Sequence, residues 1–132
     1  MTSERIDWAK KFELGVQEID LQHHFFVDLI NRLVDELGSS DEAYQMRLIQ
    51  ELDAYAKFHF ISEENLMFKE RFSGLEEHNH KHFELIQNLN VKQMLFSTGT
   101  LSAEEIIDFL RSWFVQHTMK EDMKFADYLD SR

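Results

Sequence analysis

The chain has 132 residues, a length suited to one domain. Apolar types make up 43% and aromatics 13%, enough for a real core, so a disordered chain is excluded. The formal net charge of −11 repels phosphate backbones and anionic lipid, which argues against nucleic-acid and membrane-surface roles.

No apolar run approaches the roughly 20 residues of a membrane span. The start, "MTSERIDWAKK", is too polar for a secretory signal, so the cytoplasm is the expected compartment. There is no cysteine, hence no disulfide frame. Any transition metal must therefore be held by histidine and carboxylate.

Proline is absent, and Gly38, Gly74 and Gly99 sit in the loop-like stretches "LGSSDE", "RFSGLEE" and "FSTGTLSAEE". They divide the chain into an N-terminal arm, residues 1–17, and four segments of helical length. The arm carries Trp8, Phe12, Leu14 and Val16 but is interrupted by Gly15. It is expected to be extended and pinned across the rest of the domain by Trp8 and Phe12. The first helix is expected over about 18–37, where Ile19, Phe26, Ile30, Leu33 and Leu37 recur at three- and four-residue steps. The second, about 41–71, carries Leu48, Leu52, Tyr55 and Ala56. The third, about 75–96, carries Leu75, Leu85 and Leu89. The fourth, about 102–129, opens on Ser102 as N-cap with Glu105 placed for a capping box, and carries Ile106, Phe109, Leu110 and Trp113. Four amphipathic helices with short connections predict an all-α, antiparallel up-and-down four-helix bundle.

Each apolar stripe passes through polar residues. His23 falls between Ile19 and Phe26. The second stripe runs Leu52, Ala56, His59, Glu63, Leu66; the third runs Leu75, His78, His82, Leu85; the fourth runs Leu110, Trp113, His117. Five of the seven histidines and Glu63 thus point inward. Left without partners, each would cost about 1–3 kcal/mol or more. A shared metal offsets that cost.

The segment "HNHKH" divides in the same way. Four positions advance a side chain by only about 40° round a helix, so His78 and His82 stack on one face. His80 lies about 200° from His78 and faces solvent. A lone inward histidine is ordinarily a hydrogen-bonded core residue, and one HxxxH pair alone is weak evidence. The converging set across four helices is what points to a metal.

Read together, the segments "W…KFELGVQEIDLQHH", "HFISEENLMF", "HNHKH" and "WFVQHTMKED" resemble the hemerythrins, non-heme di-iron oxygen-binding bundles, and above all their single-domain bacterial form. The resemblance spans about residues 8–122 and fills all seven ligand positions. It implies that His78, His82 and His117 bind one iron, that His23 and His59 bind the other, and that Glu63 and Asp122 bridge them. It also implies two iron ions (Fe2+/Fe3+) joined by an oxo or hydroxo bridge. The iron with two histidines keeps one position open for O2. Ligand type alone suits iron, zinc, copper or manganese about equally; the resemblance selects iron.

His117 and Asp122 are five residues apart, about 140° on a regular helix. They cannot both face one metal pair, so the helix is expected to bend, widen or break between Thr118 and Glu121. By offset from the ligands, Phe26, Phe60, Trp113, Phe114 and Thr118 are expected to line a dry O2 pocket, ordinary core packing being the plain alternative for each aromatic. Thr118 follows His117, where hemerythrins usually carry an aliphatic residue. Its hydroxyl can hydrogen-bond or admit water. Among the remaining residues, His24 is expected at the surface beside the stripe. Glu64, about 100° from Glu63, is expected in solvent. Met67 is read as a gap-filler, and Asp20 and Gln22 as groups that orient His23.

The function expected from the resemblance is reversible O2 binding for transport, storage or delivery, without enzymatic turnover. The expected partners are O2 and an unidentified oxygen-using protein, with no nucleic acid and no membrane, in a monomer or weak homo-oligomer. The rivals are a di-iron enzyme handling O2, peroxide or nitric oxide, and a soluble O2 or redox sensor. Ferritin-like di-iron enzymes use two Glu-x-x-His elements. Here only "EHNH" has that spacing, and it faces outward.

Overall fold

A computed structural model of the chain describes residues 5–38 and 41–132. The first four residues of the predicted arm, and Ser39 and Ser40 of the first predicted loop, lie outside the described residues. Helix α1 spans Gln17–Glu36, α2 Glu42–Lys69, α3 Leu75–Ser97 and α4 Ala103–Gln116. A π-helical turn over His117–Asp122 joins α4 to α5, Met123–Ser131, so the last two helices form one rod. The expected widening of the fourth helix falls on the residues where the spacing demands it. The helices form the predicted all-α four-helix bundle: α1 packs on α2 and α4, and α3 packs on α2 and α4. No helix among the described residues is long and apolar enough to cross a membrane.

The stripes are buried as their periodicity requires. Ile30, Leu33, Ile49, Leu89, Ile106, Ile107 and Leu110 are fully enclosed. Met67 is also fully buried, in keeping with a gap-filling role.

Helix ends are set by local chemistry. The Asp41 carboxylate accepts from Tyr44 N–H at the start of α2 (2.8 Å). At α4 the capping box forms in both directions: Glu105 N–H donates to Ser102 Oγ (3.1 Å), and Ser102 N–H donates to the Glu105 carboxylate (3.0 Å). We expect Ser102→Ala to cost about 1 kcal/mol, read as a lower urea midpoint at unchanged slope. Helix α3 ends in a Schellman motif, in which Thr100 N–H donates to Leu95 O and Gly99 N–H to Phe96 O. Gly99 supplies the positive φ (79°) that this turn needs. The end of α2 repeats the motif with Arg71 in the left-handed position (φ 59°). Tyr128 Oη donates to the Glu70 and Arg71 carbonyls there (2.7 and 3.1 Å), tying α5 to this turn.

The arm crosses the bundle in extended form apart from one 3-10 turn over Lys10–Phe12. Three features anchor it. The Asn31 amide clamps Ile6, accepting from its N–H and donating to its carbonyl (2.7 and 2.9 Å). Phe12 is buried, 5.5 Å centroid to centroid from both Trp8 and Phe114. The Asp20 carboxylate accepts from Leu14 and Gly15 N–H (2.8 and 3.1 Å). Asp20 thus fixes the arm's turn and does not orient His23, as its sequence position suggested. Its own place in the first turn of α1 puts it nearest the arm. Trp8 stacks on His24 at 3.6 Å, so His24 lies under the arm and not in open solvent.

Candidate metal centre

Seven side chains converge inside the bundle, toward the end that holds the α2–α3 connection. His23 comes from α1, His59 and Glu63 from successive turns of α2, and His78 and His82 from successive turns of α3; His117 and Asp122 come from the two ends of the π turn. All seven are at most 5% exposed. The wider turn brings His117 and Asp122 to the same side, and Asp122 Oδ1 lies 3.0 Å from His117 Nε2. An α-helical register would have separated them.

The two carboxylates divide their oxygens between two sets of imidazoles. Glu63 Oε1 lies 2.7 Å from His78 Nε2 and 3.2 Å from His82 Nε2. Its Oε2 faces the other way, 3.4 Å from His59 Nε2 and 3.7 Å from His23 Nε2. Asp122 repeats the division: Oδ1 lies 3.0 Å from both His78 and His117, and Oδ2 lies 3.2 Å from His23. Two ligand sets result, one of three histidines and one of two, with both carboxylates shared.

The spacing tests whether these residues fit metal ions. His82 and His117 Nε2 are 3.1 Å apart, and His117 and His78 Nε2 are 3.2 Å apart. Metal–imidazole bonds are about 2.1 Å, so ligands at right angles round one ion lie about 3 Å apart. Glu63 Oε2 and both Asp122 oxygens are buried and make no well-formed hydrogen bond. Buried carboxylate oxygens left in that state are costly unless a cation completes them. Donor types, spacing and unsatisfied oxygens all fit bound metal.

The charge balance of the metal-free protein reflects the same crowding. Burial alone would raise the Glu63 carboxyl, but the imidazoles of His23, His59, His78 and His82 hold it well below the usual carboxylate range. Burial and the Glu63 charge raise Asp122, and the imidazoles of His117 and His23 outweigh them, so it too is lowered. Burial disfavours imidazolium at His23 and His78, yet Asp122 and Glu63 overcome it and raise both to about 9. His82 is raised against burial by Glu63 and Glu64, whereas burial dominates at His117 and lowers it.

A histidine raised on folding stabilises the fold fully below its unfolded value, near 6.5, and ceases to do so as pH climbs through the folded value. We therefore expect metal-free protein to lose stability between about pH 6.5 and about pH 9, seen as a falling urea midpoint. A flat midpoint across that interval would show that folding does not raise these imidazoles.

A small, partly enclosed cavity of about 10 Å³, close to the minimum for one water-sized guest, adjoins the centre. Its walls include Phe26, Phe60, Trp113, Phe114 and Thr118, the five side chains singled out in the sequence. Both members of the two-histidine set, His23 and His59, also line it, with His117 and Asp122. The walls pack closely on the imidazoles. Phe60 stacks on His82 (3.8 Å, 6° between planes), and Trp113 stacks on His117 (4.2 Å, 13°). Thr118 is buried beside them.

The outer ring nitrogens correct two sequence expectations. His59 Nδ1–H donates to Gln22 Oε1 at 2.6 Å, so Gln22 supports His59, not His23. His82 Nδ1–H donates to Glu64 Oε2 at 2.7 Å, so Glu64 is no idle solvated residue. Helical angle placed Glu64 correctly to one side of Glu63. The missing information was that α3 packs along that side and delivers His82 to it. His80 is exposed beside Glu84 (3.5 Å), where its helical phase puts it.

The architecture is thus a four-helix bundle with a buried histidine–carboxylate cluster that could hold metal. The sequence profile of the hemerythrin HHE cation binding domain matches residues 14–129. The chain is 27% identical over 127 residues to the bacteriohemerythrin of Clostridium acetobutylicum, covering 91% of this chain and 98% of that one. It is 31% identical over 124 residues to a hemerythrin-like protein of Naegleria gruberi, covering 93% and 92%. Its fold superposes on the crystal structure of a hemerythrin mutant with a TM-score of 0.85 at 26% identity, over 92% of this chain and 95% of that one. The chain belongs to the hemerythrin family.

Proposed function

We propose that this protein binds dioxygen reversibly at a pair of iron ions, as a carrier, store or delivery protein and not as an enzyme. His78, His82 and His117 would hold one ion, His23 and His59 the other, with Glu63 and Asp122 shared between them. A pair of ferrous ions held there would supply the two electrons that uptake of O2 requires.

The observation that carries the reading is the place of the cavity. It touches both histidines of the two-histidine set, the set one ligand short of its neighbour, and only His117 of the other three. A small guest in that cavity meets the coordinatively poorer side of the centre.

The surrounding residues do the rest. Phe26, Phe60, Trp113 and Phe114 keep water and its protons from the cavity. The π turn sets His117 and Asp122 on one side. Gln22 and Glu64 hold two imidazoles in position from behind. The names of the relatives, bacteriohemerythrin and hemerythrin-like protein, support the same class of activity.

Oxygen uptake by iron-loaded, reduced protein in a sealed electrode cell tests this directly. A carrier takes up one O2 per chain, stops, and releases it under argon. Continued consumption of O2 in the presence of excess reductant would instead make the protein an oxidase.

A further inference from the structure

Behind the centre, the two ligand sets are supported by unlike groups. On the three-histidine side, the Glu64 carboxylate accepts from His82 Nδ1–H at 2.7 Å. On the two-histidine side, the neutral Gln22 amide accepts from His59 Nδ1–H at 2.6 Å. The Gln22 amide cannot turn round freely. Its Nε2 donates to Ser62 Oγ (3.0 Å), which aims Oε1 at His59, and Tyr55 Oη donates to its backbone carbonyl (2.9 Å). A carboxylate or amide oxygen can only accept, so both imidazoles carry a proton on Nδ1, which leaves Nε2 as the ring atom a metal would take. His23 differs: its Nδ1 is buried and has no hydrogen-bond partner among the described residues.

Carboxylate backing makes an imidazole a stronger donor to a metal; an amide orients it without adding charge. Resting on the two-iron reading above, we propose that Glu64 and Gln22 are positioning residues that make the two metal positions unequal. The three-histidine position, backed by Glu64, fills first. The two-histidine position, backed by Gln22 and by an unsupported His23, fills second and releases its ion first.

Anaerobic calorimetric titration of the metal-free full chain, with Fe(II) and separately with Co(II), tests this. The wild type should show two unequal steps. Glu64→Gln keeps an acceptor of the same shape and removes only the charge. It should weaken the tighter step by about 10–100-fold and leave the weaker one in place. Gln22→Glu should strengthen the weaker step and draw the two together, the opposite of what a merely structural contact would do. Proton NMR of metal-free wild type should show slowly exchanging Nδ1 protons on His59 and His82. That readout stands even if a variant fails to fold.

Equal steps in the wild type, an unchanged tight step in Glu64→Gln, or Nδ1 protons missing from both rings would each overturn the proposal. Two unequal steps in a protein that never takes up O2 would sustain it while removing the oxygen reading. Equal steps in a protein that oxygenates reversibly would do the reverse.

Discussion

Glu63→Leu is expected to leave the chain unable to hold two iron ions. Among the described residues, no other side chain places oxygens against four imidazoles, with His78 and His82 on one side and His23 and His59 on the other. Leucine matches the volume roughly and offers no donor. The two histidine sets then lose one of the two groups that couple them, and iron per chain should fall from two to at most one. The metal-free fold should suffer as well. Removing one partner from a buried ionic cluster costs about 3–5 kcal/mol, because the remaining charges are stranded away from water. Iron analysis after anaerobic loading and a urea titration of the metal-free variant check the two halves separately. Two tightly held ions in Glu63→Leu would show that Glu63 is not shared between them.

Phe114→Ala should act on the pocket and the core together. The ring is buried and meets three neighbours: Phe12 of the arm at 5.5 Å, Phe26 at 5.8 Å and the metal-side His23 at 5.5 Å. Truncating a buried phenylalanine costs about 3–5 kcal/mol, so the thermal midpoint should drop by many degrees. The removed ring also forms a wall of the cavity beside His23 and His59. The enlarged space admits water, and the oxygenated protein should decay to the oxidised form at least tenfold faster, by the pocket-drying argument. Absorbance decay in air measures this. A destabilised but folded variant with an unchanged decay rate would mean that Phe114 is packing alone and that the pocket lies elsewhere.

These two substitutions rest on features that differ in how readable they were in the sequence. The bundle was legible because Leu, Ile and Phe recur at helical steps, and because Gly38, Gly74 and Gly99 mark the three breaks. The inward placement of His23, His59, Glu63, His78, His82 and His117 follows from the same periodicity. The π turn was legible from a contradiction: His117 and Asp122 cannot share a side in a regular helix, so the helix had to change. The outer partners were not legible. Which helix packs on which flank of α2 is a property of bundle handedness, and no local period encodes it. Glu64 therefore looked like one more solvated carboxylate until α3 brought His82 within 2.7 Å. Gln22 was assigned to its chain neighbour His23, because sequence adjacency cannot see across to His59 on α2. Asp20 differs, since its partners, the Leu14 and Gly15 N–H groups, are close in sequence but face it only once the arm turns.

The most direct test of the whole account is an anaerobic titration of metal-free protein with ferrous iron, followed by air and then argon, read by absorbance. The account predicts an end point at two iron ions per chain, a visible band that rises on exposure to air, and its loss when oxygen is withdrawn. An end point at one ion or fewer, or a colour that argon never removes, would contradict it.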